Sequence, residues 1–322
     1  MAQSPAGRRY RPRRTTLAVP GSNPRFLEKA RSLPADEIFC DLEDAVAPSA
    51  KADARPAVVA ALNAGGWDGK VRAVRVNDVT TRWAYRDVIE VVEGAGRNLD
   101  VIVLPKVGDP AEVTWLDLLL DQIELEMRLE PGGIGIEAQI EDARGLAAVE
   151  AIAAASRRLE ALVFGPIDFM ASLGTTPGAA GEQASRYAQL RILVAARGNG
   201  LAAIDGPHVA VRDTEGLRRA AVSVAALGYD GKWVIHPGQI EPVNEAFTPG
   251  LEEYERAESI VDAYTRATTA DSRGAVMLGE DMIDEASRKL AMGTVAKGRA
   301  AGLGSAQHAP GGEGLGQAAG QR

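Results

Sequence analysis

Eight short apolar runs, most of them ending at a polar or charged residue, alternate along the chain with segments of helical spacing. The runs are Thr15–Val19, Glu37–Asp41, Val71–Val76, Val101–Lys106, Gly135–Glu141, Leu162–Gly165, Gly200–Pro207 and Asp230–Pro237. Helical candidates lie between and after them at Arg25–Arg31, 50–64, 83–95, 110–129, Gly145–Ser156, 184–198, 214–227 and 239–247. Strand and helix in such alternation predict a parallel sheet, and eight units fit a closed (β/α)8 TIM barrel better than an open one. The 322 residues leave room for one barrel and an extension. Val101-Ile-Val-Leu104 is apolar throughout, as a strand covered on both faces requires.

The C-terminal ends of parallel barrel strands share one face, where chemistry collects. Asp41, Glu43, Arg75, Lys106, Glu141, Asp168, Asp205 and His236 all fall at or just past such ends. Glu141 and Asp168 follow consecutive strands of one β-α-β unit, Gly132 to Phe169. Two carboxylates there make a minimal site for a hard cation such as Mg2+, with water and substrate oxygens completing it. Spacing alone leaves a purely structural pair open as well. Asp41, Glu43 and Asp44 repel one another without cations or donors to compensate. They read either as a salt-bridged loop or as support for a metal or a cationic side chain. Arg75, inside a Val-rich strand, needs an acidic or anionic partner. Lys106 carries a rival chemistry, since a desolvated lysine at a strand end can form a Schiff base. Pro20-Gly21-Ser22-Asn23-Pro24 either caps the helix that follows or seats an anion at its N-terminus. His236 and Asp205 read as pocket lining or as partners for buried backbone.

The net charge is −8 with Lys and Arg spread rather than striped, so no nucleic-acid partner is expected outside the first fourteen residues. Cys40 is the only cysteine and allows no internal disulfide. No apolar run approaches the ~18 residues of a membrane span, and the start of the chain lacks the apolar core of a signal peptide. A cytoplasmic enzyme is the expectation. Residues 1–14 carry five arginines, among them Arg11, Arg13 and Arg14, and read as a disordered, solvated tail. An anion-binding arm or a transit peptide is the functional alternative there. The barrel is expected over 15–248 and an extension over 249–301, with a disordered Gly-, Ala- and Gln-rich tail over 302–322. Within the extension the pattern predicts a helix from Pro249 to Thr268 and an extended piece at Ser272–Gly279. Met282-Ile-Asp284 should open a last helix running to about Lys297.

A series of short motifs runs in order along the chain. They are Val19-Pro-Gly-Ser-Asn23, Asp41-Leu-Glu-Asp-Ala-Val46, Val74-Arg-Val-Asn77, Leu104-Pro-Lys-Val107 and Glu141-Asp-Ala-Arg-Gly145. Phe164-Gly-Pro-Ile-Asp168, Ala203-Ile-Asp-Gly-Pro207, Gly231-Lys-Trp-Val-Ile-His-Pro237 and Met282-Ile-Asp284 complete it. Together they resemble the HpcH/HpaI aldolase and citrate lyase β-subunit family, in the branch of malyl-CoA, β-methylmalyl-CoA and citramalyl-CoA lyases, from about Thr15 to Lys297. The resemblance implies a TIM barrel, dependence on Mg2+ (with Mn2+ as an alternative) and a homotrimer or hexamer. It also implies a CoA thioester and a small α-keto acid as partners, with neither nucleic acid nor membrane.

By the same resemblance Glu141 and Asp168 match the metal ligands, and Arg75 matches the arginine that meets substrate oxygens. Glu43 and Asp44 match acids that support that arginine and the metal's waters. Lys29 falls where a basic residue contacts CoA, while Ile167, Ile235 and His236 fall among the pocket positions. Asp284 matches the catalytic aspartate of a C-terminal lid that covers a neighbouring subunit's site. Some members carry arginine where this chain has Asn23, and Arg25 is the residue here that can stand in. The segment Gly174–Arg186 is closer in length to the citramalyl-CoA type.

The implied reaction breaks the carbon–carbon bond of a 3-hydroxyacyl thioester to give an α-keto acid and a thioester enolate. A metal serves there as Lewis acid and template, and an arginine stabilises the oxyanion. Three alternatives accompany it: a thioesterase using the same site, a class I aldolase using Lys106, and a non-catalytic subunit like the β-subunit of citrate lyase.

Overall fold

All eight runs become strands: β1 (Thr15–Pro20), β2 (Glu37–Asp41), β3 (Val71–Arg75), β4 (Val101–Leu104), β5 (Gly135–Ile140), β6 (Leu159–Phe164), β7 (Ala202–Asp205) and β8 (Gly231–Val234). They pair in parallel and in chain order, and β8 closes on β1 through Thr15↔Lys232 and Leu17↔Val234. The computed structural model from which this description is drawn describes residues 11–175, 178–270 and 274–304.

Side chains alternate across each strand, and the two faces have different partners. Ile38 and Cys40 of β2, Ile102 and Leu104 of β4, and Ile136, Ala138 and Ile140 of β5 join the large outer core beneath the helices. Phe39, Ala73, Val101, Val103, Val163, Ile204 and Trp233 form a separate inner cluster. On β5 the second set of alternate residues is Glu137, Gln139 and, one step past the strand, Glu141, all buried. The barrel interior is therefore charged below, apolar in the middle and charged again at the C-terminal mouth.

The helices between strands are α1 (Pro24–Ala30), α2 (Lys51–Asn63), α3 (Ala84–Ala95), α4 (Pro110–Glu126), α5 (Ala143–Ala147), α6 (Val149–Ala153), α7 (Pro166–Ser172), α8 (Ala179–Gly198) and α9 (Thr214–Leu227). α10 (Ile240–Phe247) follows β8. Asn23 caps α1 by accepting from the Phe26 N–H at 3.2 Å, with Pro24 in the first turn.

Several elements differ from the sequence expectation. The helix expected over Gly145–Ser156 is two short helices, α5 and α6, that meet at Ala148. α7 was not expected at all; Pro166 opens it, and Asp168 stands in its first turn. β4 stops at Leu104 because Pro105 has no N–H to continue a ladder. The expected solvated tail ends before Arg13, which is buried at the base of the barrel. Its guanidinium meets Glu37 at 2.9 Å, Glu137 at 2.7 Å and Glu160 at 2.5 Å. Arg14 pairs with Asp36 at 2.7 Å. Residues 1–10 and 305–322, which fall in the two expected tails, lie outside the described residues.

The chain divides into two compact units, Met1–Phe247 and Thr248–Arg322. The second holds α11 (Leu251–Ala270), an antiparallel hairpin of β9 (Val276–Leu278) and β10 (Asp281–Ile283), and α12 (Glu285–Ala300). Tyr254 and Ala257 of α11 pack on Ala291 and Val295 of α12. Met282 and Ile283 belong to the hairpin and not to the helix; α12 begins only after Asp284, which caps it. Part of the extended piece expected at Ser272–Gly279 lies outside the described residues.

Candidate active site

The strand ends bring Asp41, Arg75, Lys106, Gln139 and Glu141 into one hydrogen-bonded group. Arg75 closes β3 and Asp41 closes β2, in direct register. The arginine donates from Nε to Asp41 Oδ1 at 2.8 Å and from Nη2 to Oδ2 at 2.7 Å, the two-pronged pairing that its planar fork favours. Asp41 is itself held by the Glu43 N–H at 2.9 Å and the Ala45 N–H at 3.0 Å. Against the effect of burial, Arg75 and these donors keep the Asp41 carboxyl below its usual pKa. The guanidinium also lies over the rings of Trp233, at 4.9 Å, and Phe39, at 5.5 Å. Nη1 is the least engaged donor, with Glu43 Oε2 at 3.3 Å and Gln139 Oε1 at 3.5 Å.

Glu141 is 2% exposed. Its Oε1 accepts the Lys106 N–H at 2.8 Å and its Oε2 accepts Gln139 Nε2 at 2.9 Å. Burial, the Glu43 charge and then the Asp168 charge raise its pKa to about 8, with Arg75 opposing. Asp168 is exposed at the start of α7. Gly165 lets β6 turn into α7 against Glu141, for an added Cβ would overlap the Glu141 Cβ.

Lys106 does not present the free amine that Schiff-base chemistry needs. Its Nζ pairs with Glu43 and lies 3.3 Å from Asp44. Burial works against the ammonium, yet Glu43, Asp44 and Glu141 together hold its pKa above the ordinary lysine value. An amine so firmly protonated has no lone pair to offer a carbonyl. Asp205 is occupied by Lys232 Nζ at 2.5 Å and Gln189 Nε2 at 2.8 Å. The three acids of residues 41–44 thus divide their labour: Asp41 and Glu43 face Arg75 and Lys106, while Asp44 stays exposed. Lys51 Nζ, donating to the carbonyls of Leu42 at 2.9 Å and Glu43 at 2.7 Å, pins the loop.

On the β1–β8 side a cavity of about 290 Å3 is lined by Leu17, Val19, Phe26, Lys29, Ile235 and His236 among others. Arg25, Lys29, Ile235 and His236 are exposed, and His236 Nδ1 accepts the Gly238 N–H at 3.0 Å. Ile167, next to Asp168 in α7, is also exposed. Asp284 belongs to the second unit. It is exposed, and donors from Ser287 hold its carboxyl below the usual pKa.

The donor set fits a divalent cation. Burial, with the charges of Glu43 and Asp168 beside it, raises the Glu141 pKa, and a bound cation would relieve both. Among the described residues no three or more His, Cys, Asp or Glu side chains form a closed metal cage. Two carboxylates with an open side suit a hard cation that keeps water and substrate oxygens.

Sequence reasoning passed over Gln139, Phe39 and Trp233. The signal for Gln139 was the period of two along β5, which puts it on the same face as Glu141.

The profile of the HpcH/HpaI aldolase/citrate lyase family matches residues 14–237. This chain belongs to that family. It is 41% identical over 298 residues to the L-malyl-CoA/β-methylmalyl-CoA lyase of Cereibacter sphaeroides, covering 87% of this chain and 93% of the relative. A (3S)-malyl-CoA thioesterase of the same species is 35% identical over 278 residues, covering 84% and 89%. Among solved structures, the protein CitE from Mycobacterium tuberculosis in complex with magnesium, acetoacetate and coenzyme A superposes with a TM-score of 0.69. Its sequence is 28% identical, over 89% of this chain and 98% of that one.

Proposed function

We propose that this protein is a Mg2+-dependent carbon–carbon lyase. Its substrate is a 3-hydroxyacyl-CoA of the malyl-CoA, β-methylmalyl-CoA or citramalyl-CoA type. The products are an α-keto acid, glyoxylate or pyruvate, and acetyl- or propionyl-CoA, and the reverse condensation uses the same site. The observation that carries this reading is an arginine fixed by Asp41 beside the buried Glu141, with Gln139 touching both. The family relatives named above supply the substrate class.

Glu141 and Asp168 would hold the cation, with Mn2+ as an alternative to Mg2+. When bound, the cation supplies Lewis acidity and a template for the keto acid's oxygens. Arg75, locked by Asp41, keeps Nη1 for a substrate oxygen and stabilises the charge that gathers on it. Lys29 and Arg25 meet the anionic part of CoA, and Ile167, Ile235 and His236 line its path. In cleavage the substrate hydroxyl gives its proton to water in the open site, the carbon–carbon pair flows into the thioester enolate, and a carboxylic acid returns a proton to that carbon. Asp284 of the partner subunit, in a homotrimer or hexamer, takes that part, and in condensation it removes the same proton. A solvated aspartate is too weak a base for this, so closure must desolvate it.

Purified protein and Mg2+ incubated with a panel of 3-hydroxydicarboxyl-CoA thioesters, resolved by mass, test the reading. Acetyl-CoA with glyoxylate, or the corresponding pair, is expected. Free CoA with malate would replace the lyase by a thioesterase.

A further inference from the structure

Lys106 is one of two non-glycine residues, among those described, whose backbone is left-handed, with φ at 53°. An L side chain there crowds the carbonyl oxygen, so the conformation is held against its own preference. Its hydrogen bonds account for it. The turn after Pro105 points the Lys106 N–H at Glu141 Oε1, 2.8 Å away, and returns the Val107 N–H to the Gln139 carbonyl at 3.1 Å. The side chain leaves in another direction and pairs with Glu43, whose second oxygen lies 3.3 Å from Arg75 Nη1. One residue therefore touches both halves of the site, through different atoms.

We propose that Lys106 is a positioning residue: its left-handed backbone aims the Glu141 carboxylate at the cation, and its ammonium sets Glu43 against Arg75. This rests on the reading of Glu141 as a metal ligand. The two arms come apart by substitution. Lys106→Gly keeps the N–H, adopts the left-handed turn without crowding and removes the ammonium. Lys106→Val keeps the N–H, but its branched Cβ opposes the turn and moves the N–H off Glu141. Lys106→Arg keeps both the turn and the cation.

The test is Mn2+ binding by the purified, substrate-free proteins, followed by electron paramagnetic resonance, with Glu141→Gln as control. Loss of an orienting hydrogen bond costs a metal site about 10–100-fold in affinity. Lys106→Val should weaken Mn2+ binding by that amount, whereas Lys106→Gly stays near the parent. In steady-state condensation Lys106→Gly should raise KM for the keto acid more than it lowers kcat, and Lys106→Arg should restore most of the loss. Parent-like Mn2+ binding by Lys106→Val, or equal losses in the Val and Gly variants, overturns the backbone arm. An unchanged KM in Lys106→Gly overturns the ammonium arm. If Glu141→Gln binds Mn2+ like the parent, the ligand assignment itself is wrong, which is a separate failure. Should Lys106→Val not fold, a crystal structure of the parent with Mn2+ decides. A right-handed Lys106, or an N–H turned away from Glu141, would refute the proposal.

Discussion

Arg75 owes its usefulness to Asp41. Two parallel hydrogen bonds and two aromatic faces fix the guanidinium and leave Nη1 its least engaged nitrogen, the one proposed to meet the substrate. Asp41→Asn keeps the shape but ends the charged pairing, and the freed guanidinium can swing toward Glu43. Misplacement of a reacting group by about 1 Å can cost on the order of 100-fold, so kcat/KM should fall by roughly that factor. Steady-state kinetics check it, with calorimetric metal binding expected to stay close to the parent. Glu141 yields a pH prediction at the same scale. Its pKa in the metal-free protein is about 8, raised first by burial and then by Glu43 and Asp168. A raised carboxyl is protonated across the neutral range, and a cation must displace that proton. Mg2+ affinity should therefore strengthen as pH rises toward 8 and level off above it, falling about tenfold per unit below. Titration calorimetry in two buffers of different ionisation enthalpy would show the released proton. At this scale the sequence exposed the acids and Arg75, since charges in apolar strands stand out. It hid the Lys106 turn, because a left-handed lysine has no compositional mark.

Elements decide where those residues point. Alternation made the barrel strands readable, and Asn-Pro before α1 announced its cap. α7 escaped because Pro166 to Ser172 is barely two turns long and carries no sustained apolar stripe. Yet α7 carries Asp168, and the glycine before it lets β6 pass Glu141. The same difficulty applies to α12. Asp284 reads as the start of a helix and is in fact its N-cap, accepting the Ser287 N–H at 2.9 Å. The proposed base therefore has a second, local duty, and two substitutions separate them. Asparagine caps a helix about as well as aspartate but cannot carry a proton, whereas alanine forfeits the cap at about 1 kcal/mol. Asp284→Asn should melt like the parent while losing turnover. Asp284→Ala should lose turnover and some thermal stability too. Near-normal activity in Asp284→Asn would remove Asp284 from the mechanism.

Closure of the barrel creates contacts that no single strand foretells. Arg13 precedes β1, while Glu37, Glu137 and Glu160 begin or follow the starts of β2, β5 and β6; they meet only because the sheet becomes a ring. Read one segment at a time, Arg13 belongs to a basic tail, which is why its burial was not foreseen. Glu37 and Glu137 are fully buried beside it, and burial raises the pKa of both, with Glu137 adding to it for Glu37 and Arg13 opposing it in each. A chain shortened to begin at Thr15 would leave these carboxylates without their cation. Breaking a buried pair on one side costs about 3–5 kcal/mol, so its melting temperature should drop well below that of a chain begun at Arg11. The sign of the pH response follows from the raised carboxyls. The folded state holds their protons more tightly than the unfolded chain does, so stability is fully present below the unfolded pKa of ~4.3 and is lost as pH rises through the folded values. Without Arg13 those values climb further. Melting curves from pH 5 to pH 8 should therefore fall more steeply for the Thr15 chain than for the Arg11 chain. Parallel curves would mean that Arg13 does not neutralise the base of the barrel.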